Sequence, residues 1–289
     1  MKILYLSYEN YIDTAKDHAV MYLNWDSMAT SDWKVAIDTF EPELVLEREF
    51  NDGKAIYNDV LEYIKEKHPN CKTAVWLIDT HVGHDRHVEY AKLFDYVFLA
   101  ISSYVDEFAS QVNENTFWLP VCYPYSKDEI TPNYRPINNE VVFVGNVDRI
   151  KAWFPERAEY VEYLQNHYKN RFYAVTDYDN MKTIIKESKV SFNYCIKDDL
   201  NFRVFETLGL GTELVTNDVT DLHKIEGLTD WVNIYRDKVD LIRIIDSILA
   251  NESTINTLKA QQWVKDNHTL YNRYKSLLKM IMSGHQERF

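Results

Sequence analysis

Two hydrophobic textures alternate along this chain. Short unbroken apolar runs are followed by longer stretches in which apolar positions return every three or four residues. The first texture predicts buried strands, and the second predicts amphipathic helices. In the first half, strands are expected over 3–6, 74–78, 96–101 and 116–119. The run 74–78 ends at Asp79, as a buried parallel strand would. Ile56, Val60, Leu61 and Ile64 share a helical face and predict a helix over 54–68. A second helix fits over 104–112.

The pattern breaks at Pro120, Pro124, Pro132 and Pro136. Proline removes a backbone donor and fixes φ, so this stretch is expected to connect elements, not to form one. The predicted domains are therefore 1–136 and 137–289. Beyond the prolines the alternation resumes. Strands are expected over 140–144, 171–175, 190–194, 213–216 and 231–235. Helices are expected over 155–168, 179–187, 202–210 and 237–249, with a largely helical tail over 253–282. Pro155 suits a first helical turn. Strand–helix alternation in both halves predicts an α/β protein with two open parallel sheets. Ligands bind such sheets at the carboxyl ends of the strands.

Charge divides the halves. Residues 1–138 carry 23 acidic and 12 basic residues, a net of −11, within a total of −13. So acidic a half repels polyanions, which disfavours DNA or an anionic bilayer as its partner. Cys71, Cys122 and Cys195 are widely spaced and form no C-x-x-C, which points to reduced, buried thiols in a cytoplasmic protein. The apolar opening of the chain turns polar at Ser7 and is too short for a leader or a membrane span.

The segment richest in chemistry is Asn193–Asp218. A strand ends at Tyr194, a polar loop holds Asp198, and a helix then carries Arg203 and Glu206. Gly211 turns the chain into a strand that ends at Thr216 and Asn217. A helix start after a strand presents free N–H groups to a diphosphate, and Arg203 would add a cation. Glu206 could accept bonds from a ribose diol. A plain αβ unit with Arg203 and Glu206 solvated, or paired together, stands level with that reading.

The run NFRVFETLGLGTELVTND resembles the R-x-F-E-x-L signature of the CgeB/YkvP-like, spore-protein-like, glycosyltransferases of the GT-B superfamily. FVGNVDRIKAWFPERAEYVEYL, SKVSFNY and VKDNHTLYNRYKSLL are similar to further segments of that family, as are VWLIDTH and FDYVFLAISSYVDEFASQVNENTFWLPVCYP. The resemblance covers about residues 74–278. It implies two Rossmann-like domains facing each other across a cleft, with the C-terminal helix packing back. It also implies transfer of a sugar, a hexose, from a nucleoside-diphosphate sugar, with UDP the first choice. By position, Glu206 would grip the donor ribose and Arg203 the diphosphate. Gly145 and Asn146 would form the turn that approaches phosphate, and Asn193, Thr216 and Asn217 would line the same crevice. Asp198 stands where many retaining members carry a glutamate, a departure that leaves the stereochemical outcome open.

Asp79, His81, His84 and His87 form a second cluster. Three readings apply: a zinc site, surface histidines at a helix start, or a cleft residue that orients sugar or acts as base. The resemblance favours the third, at Asp79 or His81. His81 precedes Gly83 and is expected to lie off the helix that holds His84 and His87. Arg149, Lys151 and Arg157 could neutralise the departing diphosphate in place of a metal ion, so neither metal nor cofactor is expected. Lys151 and Arg157 fit a solvated helix start equally well. The acceptor stays open between a surface glycan or lipid-linked precursor, a protein, a small molecule and a modified DNA base. A silent nucleotide-sugar-binding module and a sugar-nucleotide epimerase remain alternatives.

Overall fold

The computed structural model of the chain describes residues 1–6, 17–24, 28, 32–49, 58–132, 139–146, 154–175 and 179–289. It divides into two compact units. One comprises Met1–Pro120 with Leu270–Glu287, the other Val121–Thr269 with Arg288–Phe289. The expected boundary at 136/137 lies outside the described residues.

In the first unit, β1 (Lys2–Leu6), β2 (Ala19–Leu23), β3 (Leu44–Glu49), β4 (Lys72–Leu77), β5 (Tyr96–Leu99) and β6 (Thr116–Trp118) make one sheet. Its order is β2-β1-β3-β4-β5-β6, and every pairing is parallel. Among the described residues, four helices connect the strands: α1 (Trp33–Phe40), α2 (Asn58–Lys67), α3 (Thr80–Ala91) and α4 (Val105–Gln111). Successive strand residues face opposite sides. Leu4, Leu6, Val45, Val75, Leu77, Val97 and Leu99 pack with Ile37, Val60, Leu61, Ile64, Val88 and Phe108 of the helices.

The opposite parity, which includes Tyr5, Trp76 and Phe98, is equally buried. The final helix of the chain, Leu270–Ser283, packs on that side: Tyr274 donates to or accepts from Tyr5 at 2.8 Å and meets the ring of Trp76 edge-on. The helix also brings Arg273, itself buried, to the carbonyl of Pro120 at 2.8 Å. Burial on both faces explains why the strands read as unbroken apolar runs. β3 is the exception. Its sequence LVLERE buries Glu47 and Arg48, and Glu47 accepts from Tyr90. That polarity, together with the half-exposed β2, hid both strands and α1 from the hydrophobic pattern.

The second unit holds β7 (Asn139–Val144), β8 (Phe172–Val175), β9 (Ser188–Phe192), β10 (Glu213–Asn217) and β11 (Asn233–Tyr235). Its sheet is also wholly parallel, in the order β11-β10-β9-β7-β8. From β7 the chain goes first to one side and then to the other, so the strand order reverses between β7 and β9. A crevice opens at the carboxyl ends of strands where that happens. The unit's helices among the described residues are α5 (Pro155–Tyr168), α6 (Met181–Lys186), α7 (Phe202–Gly209), α8 (Lys238–Leu249) and α9 (Thr257–Asn267). Pro155 opens α5, and Asp237 caps α8 by accepting from the backbone of Val239 and Asp240. Phe143, Val190, Phe192 and Val215 form the core with Val161, Leu164, Leu241 and Ile245.

The tail is largely helical, as expected, and is interrupted at His268 and Thr269. Tyr123 causes the break: its N–H bonds the carbonyl of His268, and it pairs with Thr269 as a parallel bridge. The proline-rich stretch is more than a connection. Val121, Cys122 and Tyr123 are buried in the second unit, as a strap against α7 and α9. No helix among the described residues is long and apolar enough to cross a membrane.

The Tyr5–Tyr274 bond gives a stability test. Tyr274→Phe leaves the Tyr5 hydroxyl buried without its partner and should cost the first unit about 1–3 kcal/mol in urea unfolding. The double variant Tyr5→Phe/Tyr274→Phe should cost less than the sum of the two single changes. Strict additivity would show that the bond contributes nothing.

Candidate functional site

Three strand ends of the second unit supply the crevice residues. Gly145 follows β7, and its N–H bonds the carbonyl of Val175 at 2.9 Å. A Cβ at Gly145 would lie 2.8 Å from the ring of Phe143, so only glycine fits this turn without a shift. Arg157, from α5, donates to the carbonyl of Asn146 at 2.6 Å and lies over Phe143. Arg157 therefore anchors the turn, which differs from a solvated helix start. Arg149 and Lys151 lie outside the described residues.

Asn193, just past β9, is buried and joins three elements. Its amide donates to Thr216 Oγ1 at 3.2 Å and to Cys195 Sγ at 3.3 Å. Its oxygen accepts from Asn201 at 3.3 Å. Asn217 brackets Cys195, accepting its N–H at 2.6 Å and donating to its carbonyl at 2.9 Å. Burial pushes the Cys195 thiol up to about 11, so it stays neutral and packs as a small apolar group. These amides hold a loop that contains two successive left-handed residues, Lys197 (φ 49°) and Asp198 (φ 62°). Each such residue costs roughly 1–2 kcal/mol. Asp198 offsets part of that by accepting the N–H of Thr220 at 2.6 Å. Asp198, Asp218, Val219, Thr220 and His223 line a hollow of about 440 Å³, where His223 and Asp218 are 2.6 Å apart.

The loop delivers Asn201 to the start of α7, where its side chain makes no capping bond and its oxygen is buried without a partner among the described residues. The opening N–H groups of α7 thus lack a side-chain cap. From that first turn, Arg203 Nη1 meets Glu206 Oε2 at 2.8 Å, with the two side chains 11% and 9% exposed. Nη1 also touches the sulfur of Met181, while Nε and Nη2 make no hydrogen bond among the described residues. Glu206 Oε1 accepts from the hydroxyl of Tyr125 at 3.2 Å. Sequence reasoning missed Tyr125, whose only signal is a tyrosine alternating with proline at 123–125.

In the first unit, Asp79 lies between β4 and α3 in the left-handed region (φ 59°), without a capping bond from its side chain. Aspartate tolerates that conformation better than most residues, yet strain of this kind gathers at functional sites. His81 is in the turn before Gly83, off the helical segment that holds His84 and His87, as expected. The helix is broken at Gly83 (φ −128°), and His84 and His87 follow the break. The latter two part company. His84 lies 3.0 Å from both Asp85 and Glu107, and these carboxylates, Asp85 first, hold its pKa above the usual histidine value against partial burial. His87 is fully buried against Thr80, and burial, then Arg86, pushes its pKa down to about 4. For His87 the surface reading fails.

Comparison with known proteins follows the same lines. A family model described as glycosyl transferase-like matches residues 135–279, half of the chain. A comparison with curated proteins finds no sequence match. Among solved structures, the chain is similar to an α-glucosyltransferase in complex with UDP and a 13-mer DNA containing an A:G mismatch, at 10% identity and a TM-score of 0.64. That likeness covers 98% of this chain and 99% of the other. A glycosyltransferase from Rickettsia africae gives 10% identity, 98% and 99% coverage and a TM-score of 0.62. Anabaena HepE in complex with UDP-glucose gives 12%, 98%, 100% and 0.56. At such identities the likeness is one of fold, the GT-B arrangement of two parallel α/β sheets.

The histidines of α3 should titrate with opposite effects. His84 has a raised folded pKa, so its contribution is fully present below the ordinary 6.5 and is lost as pH rises through the folded value. His87 has a depressed one, so stability is lost as pH falls from 6.5 toward about 4. Urea midpoints should show His84→Asn weakest relative to wild type at the acid end of that range. His87→Leu should remove the acid loss, and an unchanged acid loss would refute a buried neutral His87.

Proposed function

Because the chain belongs to the glycosyl transferase-like family, we propose that it transfers a hexose from a UDP-sugar to an acceptor, without a metal ion. By its motifs we place it in the CgeB/YkvP-like branch. The observation that carries the reading is the buried Arg203–Glu206 pair beside the uncapped start of α7. Glu206 keeps one lone pair on each oxygen for a ribose diol, because Tyr125 and Arg203 each occupy only one. Arg203 keeps Nε and Nη2 for the diphosphate.

Charge grows on the diphosphate as the glycosidic bond breaks. Fixed donors aimed there stabilise the transition state without reorganising. In this chain they are Arg203, the N–H groups opening α7 and the backbone at Gly145. Asp198 and Asn193 shape the loop beneath them, with Thr216 and Asn217 bracing it from β10. Asp79 and His81 act at the sugar or the acceptor, one orienting and one taking a proton. The acidic composition of residues 1–138 favours an acceptor that is not a polyanion, so a DNA base ranks last. Three free, widely spaced cysteines suit a reducing cytoplasm.

A thermal-shift panel of UDP, ADP, GDP and their sugars tests the donor. A ligand at a hundred times its Kd stabilises the native state by about 2.7 kcal/mol. UDP and a UDP-sugar should raise the melting temperature of wild type. Glu206→Ala and Arg203→Ala should fold, melt lower because each strands a buried charge, and show a much reduced shift. No shift with any nucleotide would refute the donor site. Asp79→Ala or His81→Ala should lose turnover while keeping the UDP shift, and full turnover in both would remove them from the chemistry.

A further inference from the structure

We propose that Tyr125 is a positioning residue for the ribose-binding carboxylate and that it determines how strictly the site demands an intact ribose diol. The proposal rests on the reading of Glu206 as the ribose ligand. A guanidinium and a carboxylate left to themselves pair through two parallel bonds. Arg203 and Glu206 do not. Nη1 meets Oε2 at 2.8 Å, while Oε1 accepts from the Tyr125 hydroxyl at 3.2 Å. That single contact has two consequences. It fixes the plane of the carboxylate against rotation toward Arg203, and it leaves two guanidinium nitrogens for another anion.

Tyr125 is built to hold this position. Tyr123, two residues earlier, is pinned to Thr269 by a backbone bridge, and its ring meets that of Tyr125 edge-on at 5.4 Å. Pro124 stiffens the link between them. The Lys182 ammonium sits 3.6 Å over the Tyr125 ring and pairs with Glu129 of the same strap. Burial, then the nearby Glu206 charge, holds the phenol well above its ordinary pKa. Its hydroxyl therefore keeps its proton at every working pH and donates to Glu206 Oε1. A carboxylate oriented in this way presents its remaining lone pairs in one direction, which is what recognition of a vicinal diol requires. A site built around a substrate hydroxyl rejects the analogue that lacks it.

The test is titration calorimetry with UDP, 2′-deoxy-UDP and 3′-deoxy-UDP on wild type, Glu206→Ala and Tyr125→Phe. The quantity read is the larger ratio of deoxy to ribo Kd. Because it compares ligands on one protein, loss of folded fraction cancels. Wild type should discriminate, and Glu206→Ala should bring the ratio near one. Tyr125→Phe keeps the ring under Lys182 and should lower the ratio by about 2- to 10-fold, the worth of one hydrogen bond. A wild-type ratio in Tyr125→Phe, with Glu206→Ala near one, would overturn the role of Tyr125 alone. An undiminished ratio in Glu206→Ala would overturn the ribose reading and this inference with it, as would a wild type that fails to bind UDP or to discriminate.

Discussion

Parallel strand pairing is the constraint from which the rest of this structure follows. Parallel strands need a crossover between each pair, and the crossovers cover both faces of the sheet. Every strand then ends on the same side. In the second unit the order reverses between β7 and β9, the kind of position at which a crevice forms in parallel sheets. Gly145, Asn146 and Asn193 belong to the loops after those two strands, and Thr216 and Asn217 end the neighbouring strand. The three groups, 145–146, 193 and 216–217, are far apart in sequence. They share a place because they share a position relative to a strand end.

The crevice is polar and partly buried, so its groups must satisfy one another. The amide of Asn193 ties β9 to β10 and to the start of α7, while Asn217 brackets Cys195. A network of this kind is stiff when complete, and stiffness lets it carry two left-handed residues in one short loop. The Arg203–Glu206 pair makes the same point with charges. Desolvation costs both partners heavily, and an ion pair of this burial adds little net stability. Its retention beside an uncapped helix start fits a binding role better than a structural one.

The histidines of α3 show how spacing misleads. Three histidines at intervals of three suggest one shared environment. The break at Gly83 and the packing of α4 give His84 and His87 different ones. His84 lies between carboxylates above Tyr104 and Phe108, whereas His87 is sealed in the core. Opposite pKa shifts in residues three apart on one helix come from what packs against each, a property of neighbours distant in sequence.

Local periodicity was enough for much of this protein. The apolar runs of β1, β4, β5, β7, β9 and β10 and the capped or proline-initiated helices of the second unit were legible because one segment carries the whole signal. Arg203 and Glu206, three apart on a helix, share a face by geometry alone, and the family motifs set them in a nucleotide-sugar context. What escaped was decided by partners far along the chain. β3 hides two buried charges, Glu47 and Arg48, and Glu47 is met by Tyr90 from another element, so its pattern did not read as a strand. The tail breaks at His268 because Tyr123 claims that carbonyl. Tyr125 became part of the site because a strap that reads as a proline-rich linker folds against α7. A single sequence shows which residues can bury apolar surface or carry charge. Which buried oxygen meets which donor depends on long-range packing, and in this chain that packing placed a tyrosine on Glu206.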